Sequence, residues 1–466
     1  MLTKRLSMPA DILSNLTALR QFFDTGITKA YAYRKQQILA FKNAVIAHEQ
    51  EIYDALYADL KKSKEECWVT ENGFFLAELN DTLSNLKKWM ETENVSTNLL
   101  NLPSSSRVMR EPLGVVLIIG PWNYPLQLLF TPLLGAIAAG NCAVIKPSEF
   151  APATASVMQK IIESVFPKEY ILFVPGDGVT VIPAMMHHFT FDHVFYTGST
   201  AVGKIIYKMA AERLVPVTLE LGGKSPCVVE SDANIAIAAK RIVMTKFSNA
   251  GQMCVAPDYV LVHSSQKEKL VEAMKMRIRE YFGANPEQSD NYGKIINEKQ
   301  FDRVVSYLSQ GNILYGSRYN KQSLFIEPTL IDGISIDMSI MKEEIFGPIL
   351  PILSFETMEE ALAIIAYNPN PLAFYIFTAN TDTEKQWLAA VPSGGACVNN
   401  ASWHLTNPEL PFGGRGFSGS GAYHGRYSFE TFSHRKAVMK TPTWFDPALK
   451  YPPLKGKLGI FKMIIR

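Results

Sequence analysis

The chain has 466 residues, of which 47% are hydrophobic and 19% are charged, as is usual for globular proteins. Single hydrophobic cores stop growing at about 250 to 300 residues, so this length predicts two substantial domains. The 46 basic residues nearly balance the 44 acidic ones, and a net charge of +2 argues against the basic surface that nucleic-acid-binding proteins usually need. We therefore expect no nucleic-acid partner.

Five cysteines are scattered along the chain, without a CxxC pair or the Cys/His spacing typical of metal sites. Such a set predicts a reducing compartment and favours a cytoplasmic location. Residues 1–6 include two basic residues but no apolar run follows them, so no secretory signal is expected. The apolar segment 114–139 contains three prolines, which favours a buried strand, turn and helix over a membrane span.

The pattern of apolar residues changes along the chain. Residues 30–60 and 68–90 have the spacing of amphipathic helices. Short apolar, β-rich runs then alternate with helical stretches, which predicts βαβ units around a mostly parallel sheet. The predicted strands of this block are 115–119, 142–145, 171–174 and 193–196. A second alternating block, and hence a second α/β domain, begins near residue 225 with predicted strands 227–229 and 259–263 and helices 234–247 and 266–282.

Four short runs combine reactive side chains with glycine or proline. They are PWNYP at 121–125, LELGGK at 219–224, NAGQMC at 249–254 and EEIFGP at 343–348. Cys254 ends the third run, and a thiolate attacks carbonyl carbons readily and leaves readily from a thioester. Taken alone, Cys254 could be one of the many cysteines that only pack in a core, and Glu220 could be a solvated or capping glutamate.

Together these runs resemble the motifs of the NAD(P)-dependent aldehyde dehydrogenases. The closing runs PFGG at 411–414, GAYHG at 421–425 and TFSHRK at 431–436 are similar to the class 3 branch of that family. The resemblance extends from about residue 16 to about residue 453. It implies oxidation of an aliphatic or aromatic aldehyde to the carboxylic acid.

The implied fold is α/β and aldehyde dehydrogenase-like, with two Rossmann-type parallel-sheet domains and a small β extension for oligomerisation. We expect the NAD-binding domain at 1–221, including part of the extension near 91–112, and the catalytic domain at 222–425. The oligomerisation strand is expected at 426–442 and a C-terminal tail at 443–466.

The resemblance assigns three catalytic roles. Cys254 attacks the aldehyde to give a thiohemiacetal, which becomes a thioester once hydride leaves. Glu220 then activates the water that hydrolyses the thioester, and burial between two leucines would raise its pKa towards that of a useful base. The side-chain amide of Asn123 and the backbone N–H of Cys254 stabilise the oxyanion. The other cysteines are predicted to be inert packing residues: Cys67, Cys142, Cys227 and Cys397.

The run YTGSTAVG at 196–203 is expected to bind the cofactor pyrophosphate. It follows the predicted strand 193–196 and opens a helix, whose free N–H groups favour an anion. A Gly-Ser turn before a helix is a common cap and is a weak signal by itself. With the resemblance, Gly198, Ser199 and Gly203 become candidate cofactor-binding residues.

The two riboses are expected at other strand ends. The resemblance implies that Lys146 and Glu149 bind the adenosine ribose, and that Glu344, with Phe346 packed beside it, holds the nicotinamide ribose. The carboxylate of Glu149 can accept both ribose hydroxyls but would repel the 2′-phosphate of NADP. NAD should therefore be preferred. NADP should also be accepted, because class 3 relatives tend to accept both cofactors. Glu343 is expected to be solvated.

Two other functions remain open at this point. A CoA-acylating aldehyde dehydrogenase would release the thioester to CoA, although such relatives commonly lack the acid at the position of Glu220. A non-catalytic structural protein on the same scaffold would have lost the nucleophile, which is present here. No metal site is predicted, because His188 and His193 lie five positions apart at a helix end and a strand start.

The walls of the substrate tunnel are harder to predict. Tyr124, Trp403 and His404 are candidates, and Tyr423 and His424 could either shape the tunnel or pack nearby. Apolar walls would favour aliphatic or aromatic aldehydes.

Assembly is predicted from the class 3 resemblance. Those relatives are dimers, which implies a homodimer with segments 107–112 and 428–439 together in the extension. The segment 455–466 carries four basic residues among apolar ones. It is too short to span a bilayer, but it could lie on an anionic membrane surface, dock on the partner subunit or remain disordered.

Overall fold

The computed structural model describes residues 10–465. The prediction of no secretory signal concerns residues 1–6, which lie outside the described residues. The α-helices are α1 (Ala10–Asp24), α2 (Tyr31–Ala47), α3 (Glu49–Leu60), α4 (Lys64–Cys67), α5 (Gly73–Trp89), α6 (Gln127–Ala139), α7 (Pro152–Val165), α8 (Gly178–His188), α9 (Thr200–Ala211), α10 (Ile235–Phe247), α11 (Lys267–Phe282), α12 (Glu298–Val305), α13 (Ser339–Lys342), α14 (Met358–Ile365), α15 (Thr381–Ala390), α16 (Gly425–Thr431) and α17 (Leu458–Ile464). None of the helices within residues 10–465 is long and apolar enough to cross a membrane.

A π-helical turn, Trp68–Asn72, connects α4 to α5. The strands are β1 (Glu93–Val95), β2 (Ser105–Pro112), β3 (Val115–Ile119), β4 (Cys142–Lys146), β5 (Ile171–Phe173), β6 (His193–Gly198), β7 (Val217–Leu221), β8 (Pro226–Val229), β9 (Tyr259–His263), β10 (Asn312–Tyr315), β11 (Tyr319–Asn320), β12 (Phe325–Ile326), β13 (Thr329–Asp332), β14 (Ile349–Phe355), β15 (Ala373–Phe377), β16 (Gly395–Val398), β17 (Gly419–Ser420) and β18 (Ser433–Lys440). The predicted strands of both blocks are confirmed; two match to the residue and the ends of the others shift by one or two residues.

The first large sheet has the order β17-β7-β6-β3-β4-β5. Its strands are parallel except for β17, which runs antiparallel to β7. Every residue of β3 and β4 is buried, because helices cover both faces of such a sheet and its strands are therefore continuously apolar. Helix α6, which connects β3 to β4, is likewise buried along its whole length.

The second large sheet has the order β10-β13-β14-β9-β8-β15-β16, and all its pairs are parallel except β10 with β13. A third sheet, β1-β2-β18, is small and antiparallel. The predicted α/β class, with two mostly parallel sheets and a β extension, is confirmed.

Two details differ from the sequence-based expectation. Residues 426–431, predicted as part of the oligomerisation strand, belong to α16, and the strand begins at Ser433. Strand β17 pairs with β7, so the chain has rejoined the first sheet by residue 419, inside the segment 222–425 expected to form the catalytic domain. The domain boundaries themselves stay a prediction.

The carboxyl ends of parallel strands lie at one edge of a sheet, and ligands bind there in open α/β folds. In the first sheet this edge presents the loop after β3, the end of β4, the turn after β6 and the end of β7. These positions carry Asn123, Lys146, Ser199 and Glu220.

Candidate active site

The loop that carries Cys254 begins with a left-handed turn after α10. Asn249, Ala250 and Gly251 have φ values of 49°, 51° and 76°. A Cβ atom at Gly251 would lie 2.3 Å from the carbonyl oxygen of Gly347, so this position requires glycine. The turn brings Cys254 back to the wall of a cavity.

The thiol of Cys254 differs from the other four thiols in exposure. All five cysteines lie within the described residues, and Cys254 alone keeps partial exposure. Burial raises the pKa of the Cys254 thiol, and the nearby carboxyl groups of Glu344 and Glu220 raise it further. The nucleophile therefore needs a base, or an added positive charge, to become a thiolate near neutral pH.

Glu220 lies near the end of β7 and is 3% exposed. Neither of its carboxylate oxygens has a hydrogen-bond partner within residues 10–465. Burial raises the pKa of the Glu220 carboxyl well above its usual range, as expected for a charge that has left water without compensation. The carboxyl therefore takes up a proton more readily than an ordinary glutamate does.

Asn123 connects the loop after β3 to the nucleophile loop. Its side chain is buried, and its Nδ2 donates to the carbonyl oxygen of Gln252 at 3.1 Å. The backbone carbonyl of Asn123 accepts from Nδ2 of Asn249 at 2.9 Å. The amide of Asn123 and the thiol of Cys254 are thus held on two loops in direct contact.

A cavity of about 280 Å³ has Cys254 in its wall and is lined mainly by apolar groups. Tyr124 and Trp403 line it as predicted, and so do Tyr423 and His424, whose rings stack with centroids 4.2 Å apart. Further apolar residues of the wall are Val69, Phe74, Leu128, Met244, Leu405 and Phe412. The cavity suits an apolar substrate with one reactive end.

The prediction for His404 is wrong. This side chain lies outside the cavity lining and packs against Gly395, with its Nδ1 3.3 Å from the sulfur of Cys397. Burial lowers the pKa of His404 to about 4, so the ring is neutral at physiological pH.

At the end of β4, Lys146 and Glu149 form an ion pair of 2.7 Å. The other oxygen of Glu149 accepts from the backbone N–H of Gly178 at 3.2 Å. Burial alone would raise the pKa of the Glu149 carboxyl, but these hydrogen bonds outweigh it and lower the pKa. Glu149 is exposed beside a cavity of about 290 Å³, which can hold a sugar ring.

The turn after β6 forms the N-terminus of α9. The Ser199 side chain caps the helix by accepting from the backbone N–H of Val202 at 3.4 Å. A Cβ atom at Gly203 would lie 2.6 Å from Leu221, so this glycine lets the helix pack closely on β7. The free N–H groups at the helix end, beside Gly198, favour an anion.

Glu344 lies in the loop between α13 and β14, and its carboxyl reaches the turn after β7. A Cβ atom at Gly222 would lie 1.9 Å from Oε2 of Glu344, so only glycine leaves room for this carboxyl. Burial is the main cause, and the charge of Asp258 the next largest, of a rise in the pKa of Glu344 to about 8. A cavity of about 320 Å³ extends from Glu344 to Thr200 at the start of α9. One extended ligand could therefore reach both Glu344 and the N-terminus of α9.

Phe346 has a φ of 46° and packs edge-to-face on Trp122, with ring centroids 5.2 Å apart. The contact joins the EEIFGP loop to the PWNYP loop. Glu343 is exposed, as expected, and accepts from the hydroxyl of Tyr307 at 2.9 Å.

The histidines near β6 are explained by packing. Helix α8 ends at His188, and His193 begins β6, where its Nε2 lies 3.0 Å from the Thr218 hydroxyl. Within the described part of the chain, no group of three or more Cys, His, Asp or Glu side chains is arranged to hold a metal ion.

Some residues of the site were not predicted. Lys62 and Glu71 form a buried ion pair beside Asn123, yet the stretch from Lys62 to Glu71 is rich in charged residues, as is typical of solvated surfaces. Lys246 is fully buried without a hydrogen-bond partner in residues 10–465, and burial lowers its pKa to about 8. No motif in the sequence marks these positions.

Comparison with known proteins agrees with this geometry. The model of the aldehyde dehydrogenase family matches residues 6–438. The chain is 45% identical to the 4,4′-diaponeurosporen-aldehyde dehydrogenase of Staphylococcus aureus, over 96% of this chain and 97% of that protein. It is 39% identical to the dimeric NADP-preferring aldehyde dehydrogenase of Rattus norvegicus, over 96% of this chain and 99% of that protein.

A solved structure described as the substrate-bound state of Staphylococcus aureus AldH superposes with a TM-score of 0.96 at 44% identity, covering 98% of this chain and 100% of the other. The resemblance inferred from the motifs is confirmed. The protein is an oxidoreductase that uses NAD(P) to oxidise aldehydes, and its chain belongs to the aldehyde dehydrogenase family.

Proposed function

We propose that Cys254, Glu220 and Asn123 carry out this oxidation. The supporting observation is that a partly exposed thiol lines an apolar cavity, within electrostatic reach of a buried carboxyl that has no hydrogen-bond partner among residues 10–465. The thiolate of Cys254 adds to the aldehyde carbon, and the oxygen becomes an oxyanion that accepts from the Asn123 amide and the Cys254 N–H. After loss of hydride, Glu220 takes a proton from the water that attacks the thioester, and the carboxylic acid leaves as the thiol re-forms.

The described residues fit a nicotinamide dinucleotide. Lys146 and Glu149 would bind the adenosine ribose, the N-terminus of α9 with Gly198, Ser199 and Gly203 would face the pyrophosphate, and Glu344 with Phe346 would hold the nicotinamide ribose. The bound cofactor supplies the hydride acceptor. Because the Glu149 carboxylate is exposed and holds its charge, we propose that NAD is preferred and NADP also accepted.

The substrate is proposed to be an aliphatic or aromatic aldehyde, since aromatic and aliphatic side chains dominate the cavity wall. The test is NADH formation at 340 nm with a panel of such aldehydes and with small polar ones, compared by kcat/KM. Cys254→Ala should abolish turnover while NAD binding stays within a few-fold. NADH formation that requires CoA would instead favour the CoA-acylating reaction.

We further propose a homodimer built through the β1-β2-β18 extension. The edge strand β18 is mostly exposed, and within residues 10–465 no strand pairs with its outer side, which leaves that side free for a partner strand. The rat relative is named as dimeric, which supports a dimeric state but does not bear on which surface forms the interface.

We propose that the enzyme is located in the reducing cytoplasm. The C-terminal tail is proposed to contact either a membrane surface or the partner subunit. Helix α17 exposes Leu458, Ile460 and Met463 next to basic residues, a combination that suits an anionic membrane surface or the partner subunit. Co-sedimentation with anionic vesicles, compared with zwitterionic vesicles and with a chain truncated after Lys455, separates the two surfaces.

A further inference from the structure

A buried ion pair lies behind the active site, between the N-terminal helices and the loop after β3. Lys62 follows α3 and is 1% exposed, while Glu71 belongs to the π-helical turn and is fully buried. Lys62 Nζ and Glu71 Oε1 are 2.7 Å apart. Burial removes the hydration of both charges, and the contacts of the pair must offset that cost. These contacts therefore indicate the role of the pair.

Lys62 holds two consecutive residues of the PWNYP loop. Its ammonium donates to the backbone carbonyl of Asn123 at 2.9 Å and lies 3.9 Å from the ring centroid of Tyr124. With Glu71, these partners use the three N–H donors of the ammonium. Lys62 therefore fixes both the backbone of the proposed oxyanion donor and a wall of the substrate cavity.

Glu71 holds the other end of the same loop. Its Oε2 accepts from the backbone N–H of Gln127 at 3.0 Å, in the first turn of α6, where a negative charge is favoured. The ion pair thus clamps the segment 123–127 at both ends. The π-helical turn directs Glu71 inward while Val69 and Thr70 of the same turn line the cavity.

The clamped loop is also tied to the nucleophile loop. The Asn123 carbonyl that accepts from Lys62 accepts from Asn249 Nδ2 too, and the Asn123 amide donates to Gln252. A shift of the Asn123 backbone would therefore change the position of the oxyanion donor relative to Cys254. Such a change affects a transition state more than it affects the binding of either ligand.

We infer that Lys62 and Glu71 are positioning residues for the oxidation, which hold the Asn123 amide in register with Cys254. The inference rests on the proposed oxyanion role of Asn123. A merely structural pair would lower thermal stability when altered, without any coupling to Asn123.

A double-mutant cycle tests the coupling with Glu71→Gln, Asn123→Ala and the two combined. Glu71→Gln should lower kcat by roughly tenfold or more with the Kd for NAD within about twofold, and in the Asn123→Ala background it should lower kcat by less than about threefold. Glu65→Gln, an exposed glutamate on neighbouring α4, is the matched control and should behave as wild type.

A second variant tests the inference in the case that Glu71→Gln does not fold. Lys62→Met with Glu71→Leu removes both charges together, which buried pairs often tolerate, yet it still releases Asn123. This chain should retain NAD binding and a cooperative melt while kcat falls as in Glu71→Gln.

The outcomes separate the inference from the function on which it rests. Two outcomes would overturn the inference and leave the proposed function intact. In the first, the losses in kcat of the two single variants multiply in the double variant. In the second, Asn123→Ala is impaired while Glu71→Gln has wild-type kcat. Wild-type kcat in Asn123→Ala would overturn the proposed oxyanion role and the inference with it.

Discussion

At the scale of single residues, the two groups proposed to do the chemistry both have raised pKa values for the same reason. Cys254 and Glu220 lie where water is largely excluded, and burial disfavours the charged form of each. This arrangement suits a base that must take up a proton and release it again in every cycle. It also implies that the two groups influence each other's protonation.

The pH dependence of turnover follows from the shift at Glu220. Only the deprotonated carboxyl can accept a proton from water, so kcat should rise with pH through an apparent pKa above the value of about 4.3 for an ordinary glutamate. Glu220→Gln should remove this rise and slow hydrolysis by roughly 10² to 10⁴-fold. A wild-type steady state in Glu220→Gln, measured across the pH range, would mean that another base is used.

Cofactor preference should depend on the charge of Glu149. Two like charges about 4 Å apart repel by about 1 to 4 kcal/mol near a protein surface, so removing one should shift the preference by roughly fivefold or more. We therefore expect Glu149→Gln to raise the kcat/KM for NADP relative to that for NAD. An unchanged ratio would show that the adenosine ribose binds elsewhere.

At the scale of elements, the site is made by the carboxyl edge of the first sheet and by the loops that carry the PWNYP, NAGQMC and EEIFGP runs. Parallel strands that are buried on both faces are continuously apolar, so β3 and β9 could be predicted to the residue. The short helix α16 could not, because its seven residues give too little periodicity to distinguish a helical turn from the start of β18.

Other parts of the site depend on contacts between distant segments. Lys62 lies in the short loop after α3 and Glu71 in the π-helical turn, and only the fold shows that both charged side chains are buried against each other. His404 follows Trp403 directly, yet the 3₁₀ turn Trp403–Thr406 leaves Trp403 on the cavity wall and His404 against Cys397. Neither arrangement leaves a trace in the sequence.

The left-handed turn before Cys254 gives a prediction about an element. In Gly251→Ala the new methyl group would meet the Gly347 carbonyl and the φ of 76° would be strained, at a cost on the order of 1 to 3 kcal/mol or more. We expect a lower Tm and a larger loss in kcat than in NAD affinity, because the turn sets the position of the thiol. Gly26→Ala, at the same φ of 76° in the left-handed region but with open space around it, is the control for backbone strain alone.

At the scale of the whole molecule, the β extension lies apart from the chemistry. It pairs β2 with β18 over eight residues, and both outer edges of the sheet are open within the described chain. A two-fold dimer would cover one edge in each subunit and leave no template for further growth at that edge.

Light scattering should accordingly give a mass near twice the 52.0 kDa of the chain. Truncation after Lys455 should leave this mass unchanged, because the proposed interface lies in the extension. A monomer, or a tetramer that persists on dilution, would count against the class 3-like assembly even with the chemistry intact.

The central claim is that Cys254 carries the acyl group between hydride loss and hydrolysis. In Glu220→Gln, incubated with NAD and an apolar aldehyde and quenched in acid, hydrolysis is slow and the thioester should accumulate. Peptide mapping by mass spectrometry should then find close to one acyl group per chain, on the peptide that contains Cys254, and none in Cys254→Ala. An acyl group on another cysteine, or NADH release without any acylated peptide, would contradict the account.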